Sequence, residues 1–398
     1  MKDTLAIFGG KPVRANPLYY GKQSIDQNDI NAVIKVMESD FLTCGPAVKN
    51  MEKKLKTTVE APYAVSVTNG TAALHTAVFA FDIHQGDEII TTPMTFAATA
   101  NAILYHRGIP VFADICPDTY NISAESIQSN ITSKTKGVIV VDYTGQPADY
   151  EEIIKICKEN NLWLIEDAAH SIGSKYKGKS VGSFADATTF SFHPVKTVTS
   201  GEGGAITCKD KQIYEKMALF RTHGITRDMD QMIHPTDDPW YYEQVYLGYN
   251  NRLTDIQAAL LSSQLDKLNF FSKQRKKIVK KYQESFSKLD TIVLQRELED
   301  ADTTPHLFII QLKLENLHAT RREIYDALVA ENIYCNVHYI PVYYHPYYEK
   351  LGYKRGLCPN AEWLYERILS IPLYPSMSDQ DVDDVIHAIR KVLDYYKK

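Results

Sequence analysis

Ser191-Phe192-His193-Pro194-Val195-Lys196-Thr197-Val198-Thr199-Ser200-Gly201-Glu202-Gly203-Gly204 follows directly on an apolar, β-branched run, Ala187-Thr188-Thr189-Phe190. Such a run reads as a buried strand, which puts Ser191 and Lys196 on the loop that leaves it. Upstream, Leu162-Trp163-Leu164-Ile165 has the same character and closes on Glu166-Asp167-Ala168-Ala169-His170. A lone lysine after a strand is most simply a solvated charge. A carboxylate at one strand end and a lysine at another, 29 residues apart, can instead face each other across a parallel sheet.

Working outward, Tyr63–Val67 reads as a short strand, and Thr68-Asn69-Gly70-Thr71 leads into a helix through Leu74, Val78 and Phe81. A strand that passes through small residues into a helix start aims free backbone N–H groups at an anion. Glu88–Thr92, Pro110–Ala113 and Gly137–Asp142 continue the strand series. Helices are expected over Ala97–His106 and Asp149–Asn160, and Gly203–Thr207 reads as a return strand. Strands alternating with helices at this spacing predict a three-layer α/β/α unit on a mostly parallel sheet. No GxGxxG follows an early strand, so dinucleotide binding loses ground.

Nearer the N-terminus, Ser24–Asp29 supplies capping residues for a helix with Ile30, Val33, Ile34 and Met37 at helical spacing. That pattern predicts an amphipathic helix whose apolar face meets the core. Leu42-Thr43-Cys44-Gly45-Pro46 breaks it, and a second helix should turn Val48, Met51 and Leu55 inward. Residues 225–240 have little periodicity and read as a long exposed loop, the kind often reserved for function. Beyond Gly248-Tyr249-Asn250-Asn251-Arg252, either Asn251 or Thr254 can cap the next helix. From about Leu265 the style changes to a long basic helix with Ile278, Tyr282, Phe286 and Leu289 on one stripe. A strand at Leu307–Leu314, a helix at Arg322–Val329, a strand at Ile333–Val337 and two final helices follow. The expected division is a large unit over 1–265, N-terminal segment included, and a smaller α+β unit over 266–398.

At 398 residues, 44% hydrophobic and 23% charged, the chain has ample core material. A net charge of −5 gives no support to nucleic-acid or polybasic membrane binding. The opening residues lack the apolar region of a signal peptide and no run approaches membrane-spanning length, so a cytoplasmic protein is expected. The six cysteines are scattered without a CxxC, which indicates neither a metal site nor a disulfide framework. Twenty-six tyrosines suit a site or interface needing flat rings with polar tips, or simply a tyrosine-rich surface.

Lys196 and Asp167 together are what pyridoxal phosphate (PLP) chemistry needs: an amine for a Schiff base and an anion to keep the pyridine nitrogen protonated. Glu166-Asp167-Ala168-Ala169-His170-Ser171, the stretch from Ser191 and Gly203-Gly204-Ala205 resemble the DegT-type nucleotide-sugar aminotransferases, of the fold-type I PLP transferases. The resemblance runs from about Tyr20 to the C-terminus. It implies that Gly70, Thr71 and Ser191 hold the cofactor phosphate, that Phe96 stacks on the pyridine ring, and that His170 contacts the phenolic oxygen. It implies too that Asn250 crosses to a partner subunit's phosphate in a homodimer with shared sites; Asn251 departs from the family's usual aromatic. Dehydratase relatives carry histidine where Lys196 stands, which favours transamination. Thr43, Tyr143, Arg252, His338 and Tyr339 are the implied substrate contacts. Val141–Gly145 and Asn336–Tyr343 are most similar to the pseudaminic acid branch, whose substrates are L-glutamate and a UDP-linked 4-keto-6-deoxy-N-acetylhexosamine. Another nucleotide-linked 4- or 3-keto sugar, or a cyclitol, stays open as the acceptor. A non-catalytic sensor on the same fold has no need of Asp167 and Lys196 together.

Overall fold

The computed structural model describes residues 4–398. Seven strands form the central sheet: β1 (Tyr63–Val67), β2 (Glu88–Thr91), β3 (Ile109–Phe112), β4 (Thr135–Val141), β5 (Trp163–Asp167), β6 (Ala187–Ser191) and β7 (Gly204–Cys208). Their spatial order is β1-β7-β6-β5-β4-β2-β3. β7 runs antiparallel to both neighbours, and every other pairing is parallel. Helices cover both faces, which is why β5, β6 and β7 are almost wholly buried and read as continuous apolar runs. The fold-type I α/β architecture expected from the sequence is the one observed, with the glycine-led return strand as its antiparallel member.

Around the sheet lie α1 (Gln27–Met37), α2 (Pro46–Thr58), α3 (Gly70–Phe79), α4 (Ala98–Tyr105), α5 (Asp255–Asp266) and α6 (Leu268–Phe286). α3 buries Ala72, Ala73, Leu74, Ala77 and Val78, mostly small residues, so its axis approaches the sheet closely. α2 turns Val48, Met51 and Leu55 inward as its spacing predicts. Thr254 caps α5, accepting a hydrogen bond from the Gln257 N–H in a reciprocal box.

α1 differs from expectation. Ile30, Ile34 and Met37 are 45%, 43% and 63% exposed, whereas Asp29 is fully buried. The physical reason lies in Asp29: its carboxylate accepts from Gln264 Nε2 at 2.7 Å and pairs with Lys267 at the junction of α5 and α6. That polar anchor sets the rotation of α1 and turns its apolar stripe outward.

A second core gathers Ile278, Tyr282 and Phe286 of α6 with Ile310, Leu312, Ile371, Val385 and Ile389. Its sheet consists of β8 (Ile292–Leu294), β9 (Phe308–Leu312) and β10 (Ile368–Ile371), antiparallel in that order. The N-terminal segment, counted with the large unit in the sequence reading, packs here instead. Leu5 and Leu18 join this core, and Leu18–Tyr19 pairs in parallel with Ile333–Tyr334. Buried Glu331 fastens it by accepting from the N–H groups of Ala6 and Val13. Residues 225–240 are also more ordered than a bare loop. Ile225–Thr226 pairs with Glu243–Gln244, and the Glu243 carboxylate gathers the N–H groups of Ile233 and His234. Among the described residues no helix is long and apolar enough to cross a membrane.

Asp29→Ala should lower the unfolding free energy by about 2 kcal/mol, because Gln264 and Lys267 each lose an acceptor at a buried junction and fall back on Ser24 and Asp26 alone. Chemical denaturation measures it, and an unchanged midpoint would remove Asp29 as the anchor of α1.

Candidate active site

Both Asp167 and Ser191 end their strands, and adjacent parallel strands deliver their ends to one edge of the sheet. Such an edge, at the carboxyl ends of the strands, is where open α/β sheets bind ligands. β7 runs the other way, so its first residue, Gly204, reaches that edge too, paired with Ser191 on one side and Val67 on the other. This places the start of α3 beside Ser191. A Cβ added to Gly70 would stand 2.8 Å from the Ser191 Cβ, so only glycine lets the hydroxyl approach the helix start. Asn69 caps α3 through the Ala72 N–H at 2.8 Å, which leaves the N–H groups of Gly70 and Thr71 available to an anion.

A cleft of about 620 Å3 opens at this edge, in the range of small-molecule sites. Gly70, Thr71, Phe96, Asp167, His170, Ser191, Lys196, His338 and Tyr339 line it. Thr43, Tyr143, Asn250 and Arg252 do not. Tyr143 is buried beneath the wall, where its hydroxyl donates to the His338 carbonyl. Asn250 bridges to Thr222, and Asn251 accepts from the Thr68 N–H at 2.9 Å. The segment thus runs beside the β1–α3 turn of its own chain yet stays outside the cleft.

Burial raises the Asp167 carboxyl above its ordinary value. The Thr99 hydroxyl at 2.8 Å, the Ala169 N–H at 3.2 Å and the charge of Lys196 pull it back only in part. Lys196 moves the other way: burial brings its ammonium down to about 8 against the opposing pull of Asp167. His170 is held well below its usual value by burial, then by Lys196 and His338. Its Nε2 meets the Tyr339 hydroxyl at 3.0 Å, and its Nδ1 has no partner among the described residues. Phe96 is 64% exposed at the cleft, a flat ring with an open face.

Thr99 and His306 also belong here and were not singled out from sequence. Thr99 lies three residues after Phe96, so helical spacing could have found it. His306 lines the cleft 4.6 Å from the His170 ring, but nothing in its local sequence marks it.

Residues 23–390 match the family model described as the DegT/DnrJ/EryC1/StrS aminotransferase family. The chain belongs to that family. It is 39% identical to the spore coat polysaccharide biosynthesis protein SpsC of Bacillus subtilis, over 94% of this chain and 97% of that one. It is 35% identical to the UDP-4-amino-4,6-dideoxy-N-acetyl-beta-L-altrosamine transaminase of Campylobacter jejuni, over 95% and 98%. Among solved structures, Helicobacter pylori PseC, an aminotransferase of pseudaminic acid biosynthesis, superposes with a TM-score of 0.90 at 31% identity, covering 96% of this chain and all of that one. Spr1654 of Streptococcus pneumoniae, solved in its PLP form, gives 0.88 at 29%, covering 95% and 99%.

This family works with PLP, and the cleft fits it. The Gly70–Thr71–Ser191 cradle suits a phosphate, Asp167 a pyridinium nitrogen, and the unpartnered His170 Nδ1 a polar ring substituent. Uptake of added PLP by stripped protein should follow the free-amine fraction of Lys196, rising about tenfold per pH unit below 8 and levelling above it. Absorbance stopped-flow reads this rate. A plateau only near the ordinary lysine value would mean that burial does not tune the amine.

Proposed function

We propose that this aminotransferase acts at C4 of a UDP-linked 4-keto-6-deoxy-N-acetylhexosamine, the substrate type of the pseudaminic acid pathway, with L-glutamate as the amino donor. The observation that carries the reading is the position of Asn336, Val337, His338 and Tyr339. This stretch, on which the likeness to that branch rests, lines the same cleft as Asp167 and Lys196. The Campylobacter and Helicobacter relatives support it.

When bound, PLP supplies an electrophilic carbon for the amino group and a ring that accepts electrons. The chain supplies the rest. Gly70, Thr71 and Ser191 would hold the phosphate, and the open face of Phe96 would meet the ring. Asp167 is buried and fixed by Thr99, so it keeps a proton on the ring nitrogen by Coulomb attraction where water screens little. Lys196, its ammonium brought down to about 8, would serve as the base that moves the proton between carbons. Tyr339 orients His170.

A second reading has its own support. SpsC, a relative of higher identity, carries a name tied to spore coat polysaccharide; an acceptor on a different nucleotide would suit that role. A panel of UDP- and dTDP-linked 4-keto sugars with glutamate separates the two. The first reading expects turnover of the UDP N-acetylhexosamine at least tenfold above the dTDP sugars. The reverse order overturns it.

The working unit in this proposal is a homodimer. Asn251 is held to its own β1–α3 turn through Thr68, and Asn250 next to it stays outside its own cleft. The outward stripe of α1, with Phe41 and Leu42, and Tyr249 next to Asn250 offer apolar surface for a second copy. We place the enzyme in the cytoplasm, in keeping with six cysteines that all remain unpaired.

Asp167→Asn keeps the shape and removes the charge. PLP should still bind, while turnover falls by a factor on the order of 100 to 5,000, equivalent to losing ~3–5 kcal/mol of transition-state stabilisation. Single-turnover kinetics with glutamate measure it. Turnover within a few-fold of the parent would make Asp167 a structural residue.

A further inference from the structure

Asp255 is the first residue of α5, and its side chain is 1% exposed. Its carboxylate caps a different helix. One oxygen accepts from the Gly45 N–H at 2.8 Å; the other accepts from Ala47 N at 2.8 Å and Val48 N at 3.3 Å. These are the orphan donors at the start of α2, where Gly45 has no side chain to satisfy them and a charge gains most from the helix dipole. A Cβ on Gly45 would come within 2.8 Å of the Asp255 carboxylate and 2.4 Å of the Phe41 Cβ. The glycine lets the carboxylate in.

The contact extends on both sides. The Asp255 N–H donates to the Leu42 carbonyl at 3.0 Å, and Thr43 pairs with Thr254 as an isolated bridge. The turn carrying Thr43 is therefore bound along its length to the start of α5. Arg252 lies three residues before Asp255, and Asn250 five before. Asn250 and Asn251 are themselves held, to Thr222, Arg221 and Thr68. Thr43, Asn250 and Arg252 thus form one body, and all three are outside the cleft of their own chain.

We infer that Asp255 is a positioning residue that fuses the Thr43 turn to the Asn250–Arg252 segment, so that Thr43 and Arg252 serve the partner subunit's cleft together with Asn250. This rests on the shared-site dimer proposed above. The added content is that Thr43 acts in trans and that Asp255 is the tie that makes it do so.

Co-expression of differently tagged chains and tandem purification give defined heterodimers, assayed with the nucleotide sugar and glutamate. A Lys196→Ala chain paired with an Asn250→Ala chain tests the shared site. A Lys196→Ala chain paired with an Asp255→Ala chain, and another with Thr43→Ala, tests the inference. In each heterodimer one cleft combines an intact lysine with intact partner segments, so about half of wild-type activity per dimer is expected. The Asp255→Ala homodimer should fall at least tenfold, with a raised KM for the sugar. Asp255→Asn, which retains one acceptor oxygen, should lie between and supplies the test if the alanine variant does not fold. A residue needed only for its own chain's fold would not be restored by a partner that lacks the lysine. If the Asn250 pair recovers activity and the Asp255 and Thr43 pairs do not, the inference is overturned and the shared site stands. If no pair recovers, the shared site fails and takes the inference with it.

Discussion

Gly204 stands between Val67 and Ser191 at the working edge of the sheet, and the cleft depends on its having no side chain. A Cβ there would come within 2.3 Å of the Asn69 carbonyl oxygen. Two strand ends and the head of α3 converge because one antiparallel strand starts with hydrogen where any other residue has carbon. The meeting of Gly70, Thr71 and Ser191 at one end of the cleft follows from that convergence. Gly70 repeats the requirement one layer over, against Ser191. Close backbone approach, rather than loop flexibility, is the work of both glycines.

Lys196, His170, His193, His306, His338 and Glu202 line the cleft, and Asp167 lies on the sheet floor among them. Burial keeps His170, His306 and His338 uncharged, with His338 down at about 3. Each of them is further discouraged from protonation by the nearby lysine. The result is three neutral imidazoles able to donate or accept, beside the Lys196 amine and the buried Asp167 carboxylate. Burial raises the Asp167 carboxyl and lowers the Lys196 ammonium to about 8, so the amine is partly free near neutral pH while the nearby positive charge offsets part of the cost of burying the carboxylate.

Much of this was legible in the sequence because it rests on local rules. Buried strands declare themselves as β-branched runs, so the ends of β5 and β6, and with them Asp167 and Lys196, could be placed by reading. Thr254 was a readable cap for the same reason. What could not be read depends on contacts between distant segments. The outward face of α1 is set by Asp29 against Gln264 and Lys267, more than two hundred residues away. Helical periodicity finds the stripe but carries no sign for which way it points. The N-terminal segment joined the far unit through Glu331, equally invisible locally. His306 reached the cleft only through the packing of the second unit on the first.

The apolar stripe of α1 has a consequence for how the protein behaves as a population of molecules. In the proposed dimer, a site assembled from two chains would link catalysis to mass action. Above the dissociation constant of the pair, each chain's output is independent of how many others are present. Below it, the yield of complete sites falls with the square of chain concentration, while the uncovered Ile30, Ile34 and Met37 become available to wrong partners. Catalysis and solubility then share a single threshold, set by how tightly one surface closes on its copy.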